Sequence, residues 1–252
     1  MLNLRNCHKP SNVGSNYKKS VLKDKLDLKT RLLLEELQKS YKIKFEEKQI
    51  DYCELFIKSN DATIYFNPND IDTETITHEL LHIWLEKFNY TVGNYIYMVN
   101  LEHEKLNKVF SKFLCNYIEN CFDHHKMFPK YSEMGYSPEK FLKNGLAEKC
   151  SIQDINSLNL KFSEVYDSTA INKFIGFLIS IYADHIKENK YTEHLFLLKQ
   201  KDSDLFKIVT DFWNSWVDFD ITKINAITNS DIQLNEKFIT EMEMWVNDKV
   251  LY

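Results

Sequence analysis

The chain has 252 residues, a formal net charge of −5 and 44% hydrophobic residues, which suits one large domain or a catalytic core with a helical extension. That mild charge argues against a broad nucleic-acid surface, and the most apolar run, Phe174 to Ala183, is short of the about 18 residues that span a bilayer, so neither a nucleic-acid nor a membrane partner is expected. Five Gly and four Pro leave few breakers, and the predicted class is α+β, predominantly helical, with a small β-sheet.

Residues Met1 to Ser20 are polar, carry Pro10 and Gly14, and are expected to form a flexible N-terminal arm. Its basic residues read as a solvated face, and Cys7-His8 as a solvated loop pair rather than metal ligands. The cysteines are Cys7, Cys53, Cys115, Cys121 and Cys150, an odd number without a C-x-x-C pair. With no secretory leader before them, they fit a reduced, cytoplasmic protein. From Val21 to Leu37 the apolar positions Val21, Leu22, Leu26, Leu28, Leu32, Leu33 and Leu37 recur with helical spacing, and this helix is expected to pack on the sheet. Two strands follow, Tyr52 to Lys58 and Ala62 to Asn67, joined through Ser59-Asn60-Asp61, whose types suit a tight turn. Pro68 ends the second strand. Asn69 to Thr73 supplies cap-type residues and Glu74 favours a helix N-terminus.

The next stretch, His78-Glu79-Leu80-Leu81-His82, lies in the apolar, helix-compatible run Ile76 to Phe88. Histidines four apart share one helix face, so both imidazoles can reach a single ion. This is zinc-ligand spacing. Glu79 projects beside the pair, where its carboxylate can take a proton from an activated water and return it to a leaving amine. The competing reading is an amphipathic helix whose histidines sit at a polar boundary.

A strand, a short capped loop and a helix bearing H-E-x-x-H resemble the zincin metallopeptidases from about Tyr52 to Phe88. The resemblance implies a zincin-like core over residues 21–145, a Zn2+ cofactor and a peptide or protein substrate. In that family an edge strand beside the metal cleft pairs with extended substrate backbone, and Ala62 to Asn67 is the expected counterpart. The metzincin extension is excluded, because Leu85 and Phe88 stand where its Gly and His would fall.

Catalytic zinc usually takes three protein ligands. After a loop from Asn89 to Asn100, Leu101 to Lys126 reads as a long helix on which Asn116, Glu119, Asn120, Asp123 and His124 form a polar stripe. Glu119 and Asp123 match the E-x-x-x-D pattern of gluzincins. Asn120 to His125, running on to Pro129 and Gly135-Tyr136, resembles uncharacterised zincin-like bacterial proteins with an acidic residue and a following His or Asp in the places of Asp123 and His124. The expected third ligand is therefore Asp123 or His124, with Glu119 as runner-up. Adjacent helical residues point about 100° apart, so one of Asp123 and His124 would bind and the other support it. A plain solvent face is the alternative for the stripe. His103 and His125 read as surface residues, and Tyr131 and Tyr136 as packing, although a phenol near zinc can stabilise an oxyanion.

The remaining helices are predicted at Pro138 to Leu142, Ile152 to Leu158, Ser168 to Lys187, Thr192 to Lys199, Asp202 to Phe219 and Asp231 to Val250, so residues 146–252 form a helical C-terminal region. Trp213, Trp216 and Trp245 are expected to make a second core. The functional expectation is zinc-dependent amide hydrolysis with ligands His78, His82 and Asp123 or His124, and Glu79 as general base. The alternative is a non-catalytic zincin scaffold that binds a protein partner.

Overall fold

The computed structural model of the chain describes residues 25–70, 72–142, 146–224 and 230–252. The expected arm Met1 to Ser20, its Cys7-His8 pair and the expected helix start at Val21 lie outside the described residues. Two units divide the chain, Met1–Lys87 with Lys126–Gly145, and Phe88–His125 with Leu146–Tyr252. The described residues are α+β and predominantly helical. No helix among them is long and apolar enough to cross a membrane.

In the first unit, the Asp27 side chain accepts from Thr30 N and starts α1 (Leu28–Leu37), which buries Thr30, Leu33, Leu34 and Leu37. Those positions keep helical spacing, whereas Leu28 and Leu32 fall off that face and stand 62% and 56% exposed. The buried face packs on α2 (Thr73–Leu85), the helix that carries the histidine motif. The Thr30 and Thr77 hydroxyls meet there at 2.6 Å.

Three strands form the sheet of this unit: β1 (Lys42–Glu47), β2 (Glu54–Lys58) and β3 (Asp61–Phe66), in the order β1-β3-β2. The predicted hairpin is β2 and β3, paired antiparallel from Lys58↔Asp61 to Glu54↔Tyr65, with Ser59 at φ 53° in its turn. The strand β1 has no counterpart in the sequence reading. Only Ile43 and Phe45 are apolar among its charges, a pattern typical of an edge strand. It pairs parallel with β3 over Lys42↔Asp61 to Glu47↔Phe66. This corrects the expectation for Ala62 to Asn67. The strand is central, its backbone engaged on both sides, and the edges belong to β1 and β2. Of these, β2 touches α2.

Where a loop and one long helix were expected from Asn89 to Lys126, the second unit has α3 (Gly93–Asn100), α4 (Glu104–Val109) and then α5 (Lys112–Glu133). The break falls at Phe110 and Ser111, where the Ser111 hydroxyl accepts from Leu114 N and restarts the helix. Pro129 does not end α5, which runs on into the first unit and stops before Gly135 at φ 79°. The short α6 (Pro138–Phe141) follows.

Beyond it, α7 (Ile152–Ser157), α8 (Ser168–Tyr182), α9 (Thr192–Lys201), α10 (Ser203–Asp218) and α11 (Ser230–Val246) match the predicted helices to within a few residues. A second small sheet of β4 (Lys161–Phe162), β5 (Val165–Tyr166) and β6 (Val250–Leu251) was not predicted, its strands being two residues each. Trp213, Trp216 and Trp245 are buried as expected. Phe122 on α5 stacks on Trp216 at 5.0 Å, and Phe212 stacks on Phe238 at 4.0 Å, so α5 is bound into an aromatic core of α10 and α11.

Gly93 sets the spacing of α3 and α5. A Cβ there would lie 2.0 Å from the Cys115 carbonyl oxygen and 2.8 Å from the Glu119 Cβ, against a backbone that cannot yield. Gly176, inside α8, has its nearest prospective neighbour at 3.7 Å. Gly93→Ala is therefore expected to cost about 3 kcal/mol or more in urea unfolding, while Gly176→Ala, in a helix interior with room, gains about 0.5–1 kcal/mol.

Candidate metal centre

The motif helix is well specified at its start. The Asp72 side chain accepts from Thr75 N at 2.7 Å, and Glu74 lies in the first turn, where the helix dipole favours an anion. Ile76, Leu80, Leu81 and Ile83 are fully buried and fix the rotation of α2. With that face committed to the core, His78 and His82 stand one turn apart with ring centroids at 5.0 Å. Glu79, between them, is 7% exposed and His82 is 6% exposed.

The third member comes from α5. The candidate ligand atoms of His78, His82 and His124 all lie within 4.8 Å of one another; His82 and His124 are buried, and His78 keeps some surface. This group could hold a metal ion. Burial, and then the neighbouring His82, push the His78 imidazole well below its ordinary pKa, while a hydrogen bond to the Phe141 carbonyl partly offsets them. A histidine held neutral at neutral pH offers a lone pair rather than a charge, the form in which imidazole binds metals. Three imidazoles form a donor set that suits a borderline transition-metal ion, zinc, copper, iron or nickel alike.

Asp123 is not a member of that group. It is 2% exposed, and its carboxylate accepts from the Tyr90 hydroxyl at 2.6 Å. Glu119 is partly exposed and sits beside Gly93, one helical turn before Asp123. The polar stripe thus has two ends: Asn116, Glu119 and Asn120 keep some surface, while Asp123 and His124 are buried. A plain solvent face does not describe its second end.

Other residues singled out by the sequence have structural partners. His103 Nδ1 lies 2.6 Å from the Glu243 carboxylate. The Tyr136 hydroxyl is 2.6 Å from Thr30 and donates to Asp27 at 2.8 Å. Tyr131 is fully buried against Phe141 and Tyr136, and burial, then the carboxylate of Glu74, raise its phenol above the usual range. His125 lies against Trp213 at 5.1 Å and stacks on His185 at 6.2 Å.

Three contributors were missed. Tyr90, His185 and Phe141 belong to no motif in the sequence. The structure places Tyr90 on Asp123, His185 on the His124 carbonyl, and Phe141 on His78 with its ring 4.9 Å away. Each contact is long-range, and no local pattern announces it.

His185 is lowered to about 4 from 6.5, first by burial and then by His125. Like His78, it binds a proton more weakly in the folded chain than in the unfolded one. Their contribution to stability is complete above about pH 6.5 and is lost as pH falls, because the unfolded chain takes up the extra protons. In the metal-free protein, unfolding free energy measured by urea titration is expected to drop by roughly 3 kcal/mol from His185 alone between pH 6.5 and pH 4. His185→Phe should flatten that part of the profile. A profile equally steep in the variant would show that other groups govern it. Comparison of the chain with protein-family models, curated proteins and solved structures finds no match.

Proposed function

We propose that the chain is a zinc-dependent metallopeptidase whose ion is held by His78, His82 and His124, with Glu79 as the general base. The observation that carries this reading is the convergence of three imidazoles within 4.8 Å, two of them flanking a glutamate on one helix. Three protein ligands are the number that leaves a zinc position open to water and substrate. Bound there, zinc supplies Lewis acidity, lowering the pKa of water towards neutrality and polarising a scissile carbonyl.

The rest of the chemistry belongs to the chain. The Glu79 carboxylate takes a proton from the attacking water and later returns it to the leaving amine. The Phe141 carbonyl accepts the His78 N–H, which fixes the tautomer and orientation of that ring. Asp123, held by Tyr90, supports the ligand turn without binding the ion. The zincin resemblance suggests that extended substrate pairs with an edge strand, and β2 is the edge strand in contact with α2.

The enclosure of Glu79, His82 and His124 favours a second reading, a structural ion in a non-catalytic scaffold. Elemental mass spectrometry and a fluorescent casein assay separate the two. About one zinc per chain is expected in wild type and in Asp123→Ala, and little in His82→Ala or His124→Ala. Glu79→Gln should keep its zinc and lose casein cleavage by at least about 100-fold. Zinc with no cleavage in wild type would favour the scaffold, and zinc retained in His124→Ala would overturn the ligand set.

A further inference from the structure

Phe141 encloses one side of the metal centre. It is 3% exposed, its ring lies 4.9 Å from the His78 ring, and its carbonyl accepts a hydrogen bond from the same imidazole. Phe128 and Tyr131 back it at 5.2 and 4.9 Å. The peptide that carries Phe141 is slight: α6 is four residues long, with Ser137 before it and Leu142 after it both extended. So small a helix has little stability of its own and is placed by its tertiary contacts.

One of those contacts is electrostatic, between a solvated lysine and a mostly buried glutamate. Lys140, next to Phe141, pairs with Glu74 at 2.9 Å and approaches Asp72 at 4.0 Å, and the lysine side chain is 59% exposed. Both carboxylates belong to the start of α2, one turn or more before His78. Upstream, the peptide is anchored on α1, where Tyr136 bonds Asp27 and Lys29 reaches the Met134 carbonyl. The segment is therefore fixed at its base, and its far end is held by the packing of the Phe141 ring, by the carbonyl bond to His78 and by the Lys140–Glu74 ion pair, of which the lysine is the solvated partner.

We propose that Ser137–Leu142 is a strap over the His78 side of the metal centre, latched by the Lys140–Glu74 ion pair, and that its release admits solvent and substrate to His78. The inference rests on the proposed peptidase reading and answers the question that the enclosure raises. An ion pair with one solvated partner contributes on the order of 1 kcal/mol, so it tunes how often the strap opens, while the Phe141 ring contacts set most of the cost.

The test uses diethyl pyrocarbonate on the metal-free protein, with His78 modification followed by peptide mass spectrometry, beside zinc transfer from the loaded protein to a chelator. Lys140→Ala should raise both rates about two- to fivefold, the whole worth of such a pair. Phe141→Ala should raise them further, and Lys207→Ala, which breaks an ion pair to Asp211 on α10, should change neither. In about 1 M salt, where the screening length is about 3 Å, wild type should approach the rate of Lys140→Ala while that variant hardly responds. Equal His78 modification in wild type, Lys140→Ala and Phe141→Ala would overturn the strap, whatever the zinc content. Accelerated modification in a protein that takes up no zinc would leave the strap standing and overturn the peptidase reading.

Discussion

Gathering three imidazoles inside a protein favours a divalent ion and disfavours a proton. Each proton would add a positive charge to an enclosed space beside two other basic rings, and both burial and the neighbours oppose it. A single divalent ion instead meets three lone pairs at once. The depressed pKa of His78 is the sign of this balance in the structure. The remaining requirement is mechanical, since His78, His82 and His124 must be held in place whether or not an ion is bound.

The chain meets that requirement from both helices. Apolar burial sets the rotation of α2, and its Asp72 cap sets where it begins. On α5 the ligand turn is gripped by its neighbours: the Trp216 indole donates to the Phe122 carbonyl at 3.1 Å, Tyr90 bonds Asp123, and His185 bonds the His124 carbonyl. Two of these bonds reach main-chain carbonyls within a helix, where the oxygen has a second lone pair to offer. Pro129 lies just beyond and brings no N–H to the carbonyl of His125, so this is the part of α5 where the helical ladder is thinnest. Side-chain donors from elsewhere in the chain reinforce that turn.

The same contrast separates what could be read in the sequence from what could not. The motif helix and most later helices follow from periodicity and caps, because their apolar faces recur within one or two turns. Pairing that depends on distant chain was invisible. β1 carries too few apolar residues to look like a strand, yet it makes β3 central and leaves β1 and β2 as the edges. The two-residue strands of the second sheet gave no signal at all. Among site residues, His78 and His82 were legible because helix geometry alone joins them. That His124 rather than Asp123 joins His78 and His82 turns on the rotation of α5, which the aromatic contacts of Phe122 and Trp216 help to set, and that is a tertiary fact.

Enclosure and catalysis are compatible if the enclosing parts differ in strength. Phe122, Trp216 and Phe212 belong to a continuous aromatic core, and displacing any of them would cost several kcal/mol, about the price of a large core truncation. Phe141 is buried as deeply, but the four-residue helix that carries it is tied to α2 by its contacts with His78 and by the Lys140–Glu74 ion pair, whose lysine is solvated. Burial measures how well a side chain is covered, whereas opening depends on what else must move with it. In the proposed strap the Phe141 ring moves with a helix of four residues rather than with α2 or α5, and gives up its own contacts with His78, Phe128 and Tyr131. On that argument a site can be dry at rest and still be reached by water.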